Sequence, residues 1–331
     1  MSKVIKTHAV YLQDRAAASD VTTNGWVRGV YKNAIEFTTF DKSVRGATFL
    51  LGGVLIASGA GFSCWLTWLM LSSLLALEVS PPWWVYPVPA VGFIAFLLVA
   101  LFALVHYGRR EFFRPLDLPI IFDRHHRKVY RLDQTPRLSV FSIFQQWPVC
   151  LVEYDWADIV AEHGVVTFTT GSSAHRQHTL ALMVRDKSVA DFSGDVTSDN
   201  TPPYVAGFVL GDAKTLSELT VPRVWEHVRR YMNDDGPPLP RGEPLADTTV
   251  PVTWADSLAA VSVFGPGYVK RWRDNCGWMI LMHLLSPLLL PLAILMATTN
   301  WLSFKTAYPV KWPQEVLDRI GPELSGARSF Q

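Results

Sequence analysis

A run of cationic side chains and histidines in the middle of the chain is the densest group that could bind an anion. The run is Arg124, His125, His126, Arg127 and Lys128. Such side chains contact anionic lipid headgroups or an acidic partner. We expect Arg124, Arg127 and Lys128 to bind lipid headgroups together with three further arginines, Arg109, Arg110 and Arg114. The alternative is a solvated turn, with the three arginines acting only as signals of membrane orientation.

An acidic stretch around a tryptophan follows about thirty residues later. Its members are Glu153, Asp155, Trp156, Asp158 and Glu162. Aromatic and charged side chains together are typical of protein–protein interfaces. We therefore predict that these five residues bind a partner protein. Paired carboxylates could also do acid–base chemistry, and a solvated helix face is a further alternative.

Other reactive side chains do not assemble into a recognisable catalytic or metal-binding pattern. His175 and His178 could approach each other, but a metal needs three or four ligands. Ser172 and Ser173 lack the glycine spacing of a hydrolase nucleophile. The three cysteines, Cys64, Cys150 and Cys276, are too scattered for a zinc site. The sequence predicts no catalytic residue, no cofactor, no metal and no enzymatic activity.

The distribution of charge predicts a membrane protein. Hydrophobic residues make up 49% of the 331 residues and charged residues only 18%. No charged residue occurs within residues 46–77, 79–108 or 276–304. Residues 47–77 and 88–107 are long enough to form a transmembrane hairpin, and residues 278–297 a third span kinked at its prolines. A net charge of +1 argues against a nucleic-acid partner.

The lysines and arginines predict the orientation of these spans. Seven lie in the first 45 residues and three follow the second span, whereas the turn of the hairpin has none. By the positive-inside rule, the N-terminus and residues 109–275 are cytoplasmic. Three spans then leave the C-terminal tail in the periplasm. We expect a multi-pass protein of the bacterial inner membrane.

The region after the second span alternates short apolar runs with polar turns. Residues 118–132 and 165–184 predict two β-hairpins, and residues 222–231 an amphipathic helix. Residues 155–162 predict a short helix. The predicted fold is therefore an α+β membrane protein, with a transmembrane hairpin, a third C-terminal transmembrane helix and a β-rich cytoplasmic domain closed by an amphipathic helix. The expected segments are 1–45 (cytoplasmic), 46–108 (hairpin), 109–233 (β-rich domain), 234–275 (proline-rich linker and juxtamembrane helix), 276–300 (third span) and 301–331 (tail).

Small residues recur at four-residue spacing in the first span, at Gly53, Ala57 and Gly61. Such a stripe lets two helices approach closely. It predicts contact with the second span or, in a homo-oligomer, with another copy of the chain.

The chain resembles bacterial membrane proteins of type VI secretion and polymorphic-toxin loci. The resemblance is carried by the polar N-terminus, the tight hairpin, the segment 119–131, Tyr154-Asp-Trp-Ala-Asp158 and the helix Val224-Trp-Glu-His-Val-Arg-Arg-Tyr231. It implies an immunity protein or an effector accessory, with a toxin or a secretion-system protein as partner. The chain is also similar, more weakly, to membrane-anchored proteins with a pleckstrin-homology-like domain. That resemblance implies a lipid-sensing or scaffold protein.

Overall fold

The computed structural model describes residues 5–39, 45–76, 82–83, 87–135, 147–170, 173–186, 204–211, 216–262, 265 and 267–326. Its helices are α1 (Ala47–Leu75), α2 (Pro87–Glu111), α3 (Thr220–Asn233), α4 (Trp254–Val261), α5 (Tyr268–Asp274), α6 (Cys276–Thr306) and α7 (Gln314–Ile320). Its strands are β1 (Ile5–Tyr11), β2 (Val27–Tyr31), β3 (Ala34–Phe37), β4 (Ile120–Asp123), β5 (Lys128–Gln134), β6 (Val149–Asp155), β7 (Ile159–Thr170), β8 (Ser173–Arg185), β9 (Tyr204–Val209) and β10 (Glu323–Gly326). The predicted α+β class is confirmed.

The strands form two antiparallel sheets. The first has the order β1-β7-β8-β9, and the second has the order β10-β2-β3-β4-β5-β6. Both predicted hairpins, β4–β5 and β7–β8, are present. Residues 5–37 supply β1, β2 and β3, which pair within these two sheets.

One core lies between the two sheets and under α3. The amphipathic pattern of α3 places Val224, Trp225 and Val228 inward, where they are fully buried. Phe37 and Phe122 come from the second sheet, and their rings meet edge to face at 5.5 Å. The prediction of a β-rich domain closed by an amphipathic helix therefore describes the sheets and α3 correctly.

The helices α1 and α2 are an insertion into the second sheet. β3 and β4 pair along their whole length, yet α1 and α2 lie between them in the sequence. The ends of β3 and β4 at Phe37 and Ile120 therefore face the helices, and the turns at Asn33 and Arg124 lie at the other end. Residues 77–81 and 84–86, in the predicted turn of the hairpin, lie outside the described residues.

Three helices are long and apolar enough to cross a membrane. They cover residues 47–73, 90–109 and 276–306, with mean hydropathies of 1.8, 2.4 and 2.2. Less than a tenth of each apolar window is buried inside the protein. Apolar side chains on the outside of a helix this long suit contact with lipid.

Gly53 and Gly61, two members of the stripe of small residues, do not lie where α1 and α2 approach closely. A Cβ at Gly52 would lie 2.9 Å from Tyr107, and one at Gly59 would lie 3.0 Å from Phe96. A Cβ at Gly53 or Gly61 would meet nothing within 4 Å. The predicted contact of Gly53 and Gly61 with the second span is therefore wrong, because the close approach uses other glycines.

A buried polar cluster joins the three long helices at the end nearest the β-rich domain. Glu111, the last residue of α2, accepts hydrogen bonds from the backbone N–H groups of Gly46 (2.7 Å) and Thr48 (3.2 Å), so it caps α1. Ser303 of α6 donates to the carbonyl of Glu111 at 2.7 Å. Asn300 of α6 donates to the carbonyl of Arg45 at 3.0 Å. The C-terminal part of α6 therefore lies beside the start of α1 and the end of α2.

The segment after α6 folds back onto the β-rich domain. β10 pairs with β2, while Trp312, Val316 and Ile320 form a second apolar cluster on the outer face of the second sheet. This packing places the tail beside the β-rich domain, whereas the sequence led us to expect it on the opposite side of the membrane. The tail completes that domain, and the third helix extends to Thr306 rather than residue 300.

The helix predicted for residues 155–162 is also wrong. Only Trp156–Asp158 form a 3₁₀ helix, and β7 begins at Ile159. Asp155 makes no side-chain cap at this turn. The turn carries the chain from the second sheet to the first, and the β-branched residues that follow continue as a strand.

Candidate functional site

A groove of about 970 Å³ lies between β2 and the segment that follows α6. Arg28, Tyr31 and Asp117 line its inner wall, and Trp312 and Leu317 line its outer wall. The remaining lining residues are Leu116, Pro309, Val310, Lys311, Gln314, Asp318, Gly321, Pro322 and Glu323. Folding back of the tail therefore creates the groove.

A single arginine lies between two buried carboxylates at the base of the groove. The Arg28 guanidinium is 3.5 Å from Glu36 and 3.4 Å from Asp117. The side chains of Glu36 and Asp117 are 3% and 1% exposed, whereas that of Arg28 is 22% exposed. Arg28 is therefore the member of this trio that solvent or a ligand can reach.

The β2–β3 hairpin places Arg28 and Glu36 side by side. The register shifts between Val27 and Gly29, which pairs with Glu36. A Cβ at position 29 would lie 2.9 Å from the Glu36 Oε2 atom. Glycine at this position leaves the room that the buried carboxylate needs.

Two hydrogen-bond donors and the Arg28 guanidinium hold the Glu36 carboxylate. Trp312 donates its indole N–H to Oε1 at 2.8 Å, and the Tyr31 hydroxyl donates to Oε2 at 3.3 Å. Burial raises the pKa of Glu36, against the opposing influence of Arg28 and then of Trp312. Burial and the neighbouring Glu36 raise the pKa of Tyr31. The site therefore holds a carboxyl group that takes up a proton more readily than a solvated one.

Asp117 connects the groove with the chain that leads into α1. Its carboxylate accepts hydrogen bonds from the Thr38 hydroxyl at 2.6 Å and from the Thr39 N–H and hydroxyl, each at 2.9 Å. The loops at the membrane-proximal ends of β3 and β4 are thereby joined.

The groove lining contains one more carboxylate than it has cations. Arg28 and Lys311 are its cations, against the carboxylates of Asp117, Asp318 and Glu323 at its wall and of Glu36 behind it. An acidic groove with apolar walls at Trp312 and Leu317 can hold a basic side chain by its charge and by its alkyl stem.

The predicted partner-binding residues do not form one surface. Trp156 is fully buried; its ring centroid lies 5.4 Å from that of Trp225, and its indole N–H donates to Asn233 at 2.8 Å. This tryptophan is therefore a core residue, and its predicted role in binding a partner directly is wrong.

The four carboxylates of the acidic stretch have separate surroundings. Glu153 pairs with Arg319 of α7 at 3.0 Å, and Asp155 pairs with Lys128 at 2.6 Å. Glu162 lies in the other sheet, on β7, near Tyr204. Asp158 lies in the turn between the sheets. Each belongs to a local network rather than to a shared acidic face.

The predicted lipid-binding residues separate into two groups at opposite ends of β4. Arg124, Arg127 and Lys128 lie at the end far from the long helices. Arg124 lies over the Tyr231 ring at 5.1 Å, and Arg127 donates to Asn233 at 2.9 Å and to the carbonyl of Met232. These contacts attach the β4–β5 turn to the C-terminal end of α3, so the six residues do not form a single headgroup site.

The other three arginines lie at the membrane-proximal end. Arg109 is buried, with its guanidinium 5.4 Å from the centre of the Trp147 ring. Arg114 is half-buried. Arg110 belongs to α2, and its side chain lies outside the described part of the structure.

A histidine cluster lies on the first sheet. His163 Nε2 is 2.9 Å from His178 Nδ1, and the Tyr11 hydroxyl is 3.4 Å from His163 Nδ1. Burial, then the nearby His178 and His8, lower the pKa of His163 to about 4. Within the described ranges, no three potential ligands are placed to hold a metal ion. The side chain of His175 and all of Ser172 lie outside those ranges.

The sequence carried only a faint signal for the groove. Glu36 is a charged residue inside the apolar strand Ala34–Phe37, which is unusual for a strand buried at every position. Nothing local links it to Trp312 or Asp117, because these residues meet only through the tail and the loop before β4.

Comparison with known proteins identifies one family. No curated protein and no solved structure matches the chain. A family of unknown function (DUF6708) matches residues 96–319, from within α2 to the last turn of α7. The match covers more than half of the chain and includes Asp117, Trp312 and Asp318 of the groove. The chain therefore belongs to the DUF6708 family.

Proposed function

We propose that this protein is a non-enzymatic inner-membrane protein that binds a basic segment of a partner protein in the groove between β2 and the tail. The observation that carries the proposal is the pair of exposed carboxylates in the groove lining, Asp318 and Glu323, together with the apolar walls at Trp312 and Leu317. The long apolar helices would anchor the protein, and the β-rich domain would present the groove on the cytoplasmic side.

The partner class we favour is a type VI secreted antibacterial toxin, or an effector that the protein escorts. The support is the resemblance described above, and it bears on the role as immunity or accessory protein. Binding of a partner forms no covalent bond, so the groove needs only a shape and a charge that match the partner, and no catalytic group.

The test is protection of bacteria against a toxin encoded in the same gene cluster. Asp318 and Glu315 are both exposed on α7, but only Asp318 lines the groove. We expect Asp318→Lys to abolish protection and co-purification with the toxin, whereas the matched control Glu315→Lys retains both. Full protection by Asp318→Lys, or equal loss in both variants, would contradict binding in this groove. Full resistance to the toxin after deletion of the gene would contradict the immunity role.

The second candidate is a lipid-sensing or scaffold protein with a pleckstrin-homology-like domain. The order of elements favours it. Four consecutive antiparallel strands, β3–β6, lie in one sheet, and the next three, β7–β9, lie in the other. The helix α3 follows and closes the core. Because Arg124 and Lys128 lie far from the long helices, their partner would be a second membrane. Proteoliposomes should then capture vesicles of phosphatidylserine and phosphatidylcholine, and Arg124→Glu with Lys128→Glu should abolish capture.

A further inference from the structure

The C-terminal end of α6 lies near the β-rich domain, so its N-terminal end and the residues directly before it lie far from that domain. Asn300 and Ser303 lie beside the start of α1 and the end of α2. From Asn300 back to Cys276, the helix measures about 36 Å at a rise of ~1.5 Å per residue. The hydrocarbon core of a bilayer is about 30 Å thick. The beginning of α6 therefore reaches the side of the membrane opposite to the β-rich domain.

The segment before α6 runs along this helix in the opposite direction, from beside Thr298 to beside His283. Trp254, at the start of α4, donates its indole N–H to Thr298 of α6 at 3.1 Å. The hydroxyl of Tyr268, at the start of α5, is 3.1 Å from His283 Nε2. The Trp272 ring centroid lies 5.4 Å from that of His283. Residues 254–272 therefore run antiparallel along α6, away from the β-rich domain.

The sequence of this segment is compatible with an apolar environment. No charged residue occurs between Asp256 and Lys270. The chain leaves the helical conformation near Gly265, and irregular backbone inside a bilayer must find hydrogen bonds within the protein. Gly265 donates its N–H to the Ser262 carbonyl at 3.2 Å, and its own carbonyl accepts from Arg271 at 3.0 Å. The described polar groups at Gly265 are therefore satisfied.

We propose that residues 254–306 form a second membrane hairpin, and that α5 binds the phospholipid headgroups of the leaflet opposite to the β-rich domain. α5 combines the aromatic residues Tyr268 and Trp272 with the cations Lys270, Arg271 and Arg273. Tryptophan and tyrosine concentrate at the membrane–water interface, and lysine and arginine contact lipid phosphates. Both ends of this hairpin would then lie on the side of the β-rich domain.

The native cysteines provide the test. Cys150 lies exposed on β6, and Cys276 lies exposed at the start of α6. Two single-cysteine variants of the full chain, Cys64→Ala with Cys276→Ala and Cys64→Ala with Cys150→Ala, isolate each thiol. A membrane-impermeant maleimide is added to right-side-out and to inverted membrane vesicles. Labelling after solubilisation in detergent measures the total reactive thiol in each variant.

We expect Cys276 to be labelled from the side opposite to Cys150. Lys270→Cys in a chain without native cysteines provides a second reporter on α5, and it should be labelled from the same side as Cys276. Labelling of Cys276 and Cys150 from one side would overturn the second hairpin. Thiols at positions 270 and 276 that react only after solubilisation would overturn the placement of α5 at the headgroups.

Discussion

Trp312 donates its indole N–H to Glu36 at 2.8 Å, although 276 residues separate them in the sequence. The hydrogen bond joins the tail to β3, so it connects the segment after the third long helix with a strand that precedes the first. Because Glu36 is buried, each of its donors offsets part of the cost of removing a carboxylate from water.

Replacement of Trp312 should therefore destabilise the β-rich domain. Trp312→Phe keeps a ring but removes the donor, and the loss of a hydrogen bond to a buried charged group costs about 1–3 kcal/mol. We expect a lower midpoint of thermal unfolding in detergent. The control is Trp83→Phe, because Trp83 is 82% exposed. An unchanged midpoint for Trp312→Phe would show that the bond contributes little.

The neighbouring glycines of α1 should respond differently to a methyl group. Gly52→Ala places a Cβ 2.9 Å from the Tyr107 ring, whereas Gly53→Ala meets nothing within 4 Å. Overpacking costs about 1–3 kcal/mol, so Gly52→Ala should lower the yield of folded protein and its thermal midpoint. Gly53→Ala should leave both unchanged in a monomer. A lower yield and a lower thermal midpoint for Gly53→Ala alone would indicate instead that this face of α1 contacts another copy of the chain.

The folded protein should become less stable as the pH falls from 6.5 towards 4, because His163 titrates differently in the folded and unfolded chain. The pKa of His163 is lowered from 6.5 to about 4 in the folded protein, so the unfolded chain binds more protons between these values. The free energy of unfolding should therefore decrease as the pH falls from 6.5 towards 4. His227 has the same sign, because burial lowers its pKa to about 4.

The measurement is thermal unfolding in that pH range for the original chain and three variants. His163→Gln should show a weaker pH dependence than the original chain, and addition of His227→Gln should weaken it further. His125→Gln, at the exposed β4–β5 turn, is the control and should retain the original slope. An unaltered slope in the double variant would mean that other groups determine the acid sensitivity.

The tail should be accessible from the same side as the β-rich domain. Glu315 is exposed on α7, and Glu315→Cys in a chain without native cysteines gives a reporter at this position. Because α7 packs on the second sheet, an impermeant maleimide should reach position 315 and Cys150 from one side. Labelling from opposite sides would mean that the tail does not complete the domain in the membrane.

The sequence predicted the elements with local signals and missed the contacts made over long distances. The hairpin β4–β5 follows from two apolar runs around a polar turn, and α3 follows from the spacing of Val224, Trp225 and Val228. The return of the tail has no such signal, because the pairing of β10 with β2 depends on the direction of α6. Lysines and arginines flank α6 on both sides, so their distribution favoured the wrong direction.

The candidate site was missed for a similar physical reason. The acidic stretch suggested an interface because aromatic and charged residues alternate there, yet Trp156 turns inward where the chain passes between the sheets. The groove depends on Arg28, Asp117 and Trp312, which are isolated charged or aromatic residues in the sequence. Only the folded chain brings them together.

The pairing of β10 with β2 also determines when this protein can finish folding during its synthesis. The second sheet needs a strand made before the first long helix and a strand made after the third, so all three long helices lie between its members in the sequence. β2 must therefore wait, with one edge uncovered, until the segment that follows α6 has been synthesised. A nascent chain stalled after α6 would display an open sheet edge and an uncovered Glu36, and quality-control proteases could recognise both.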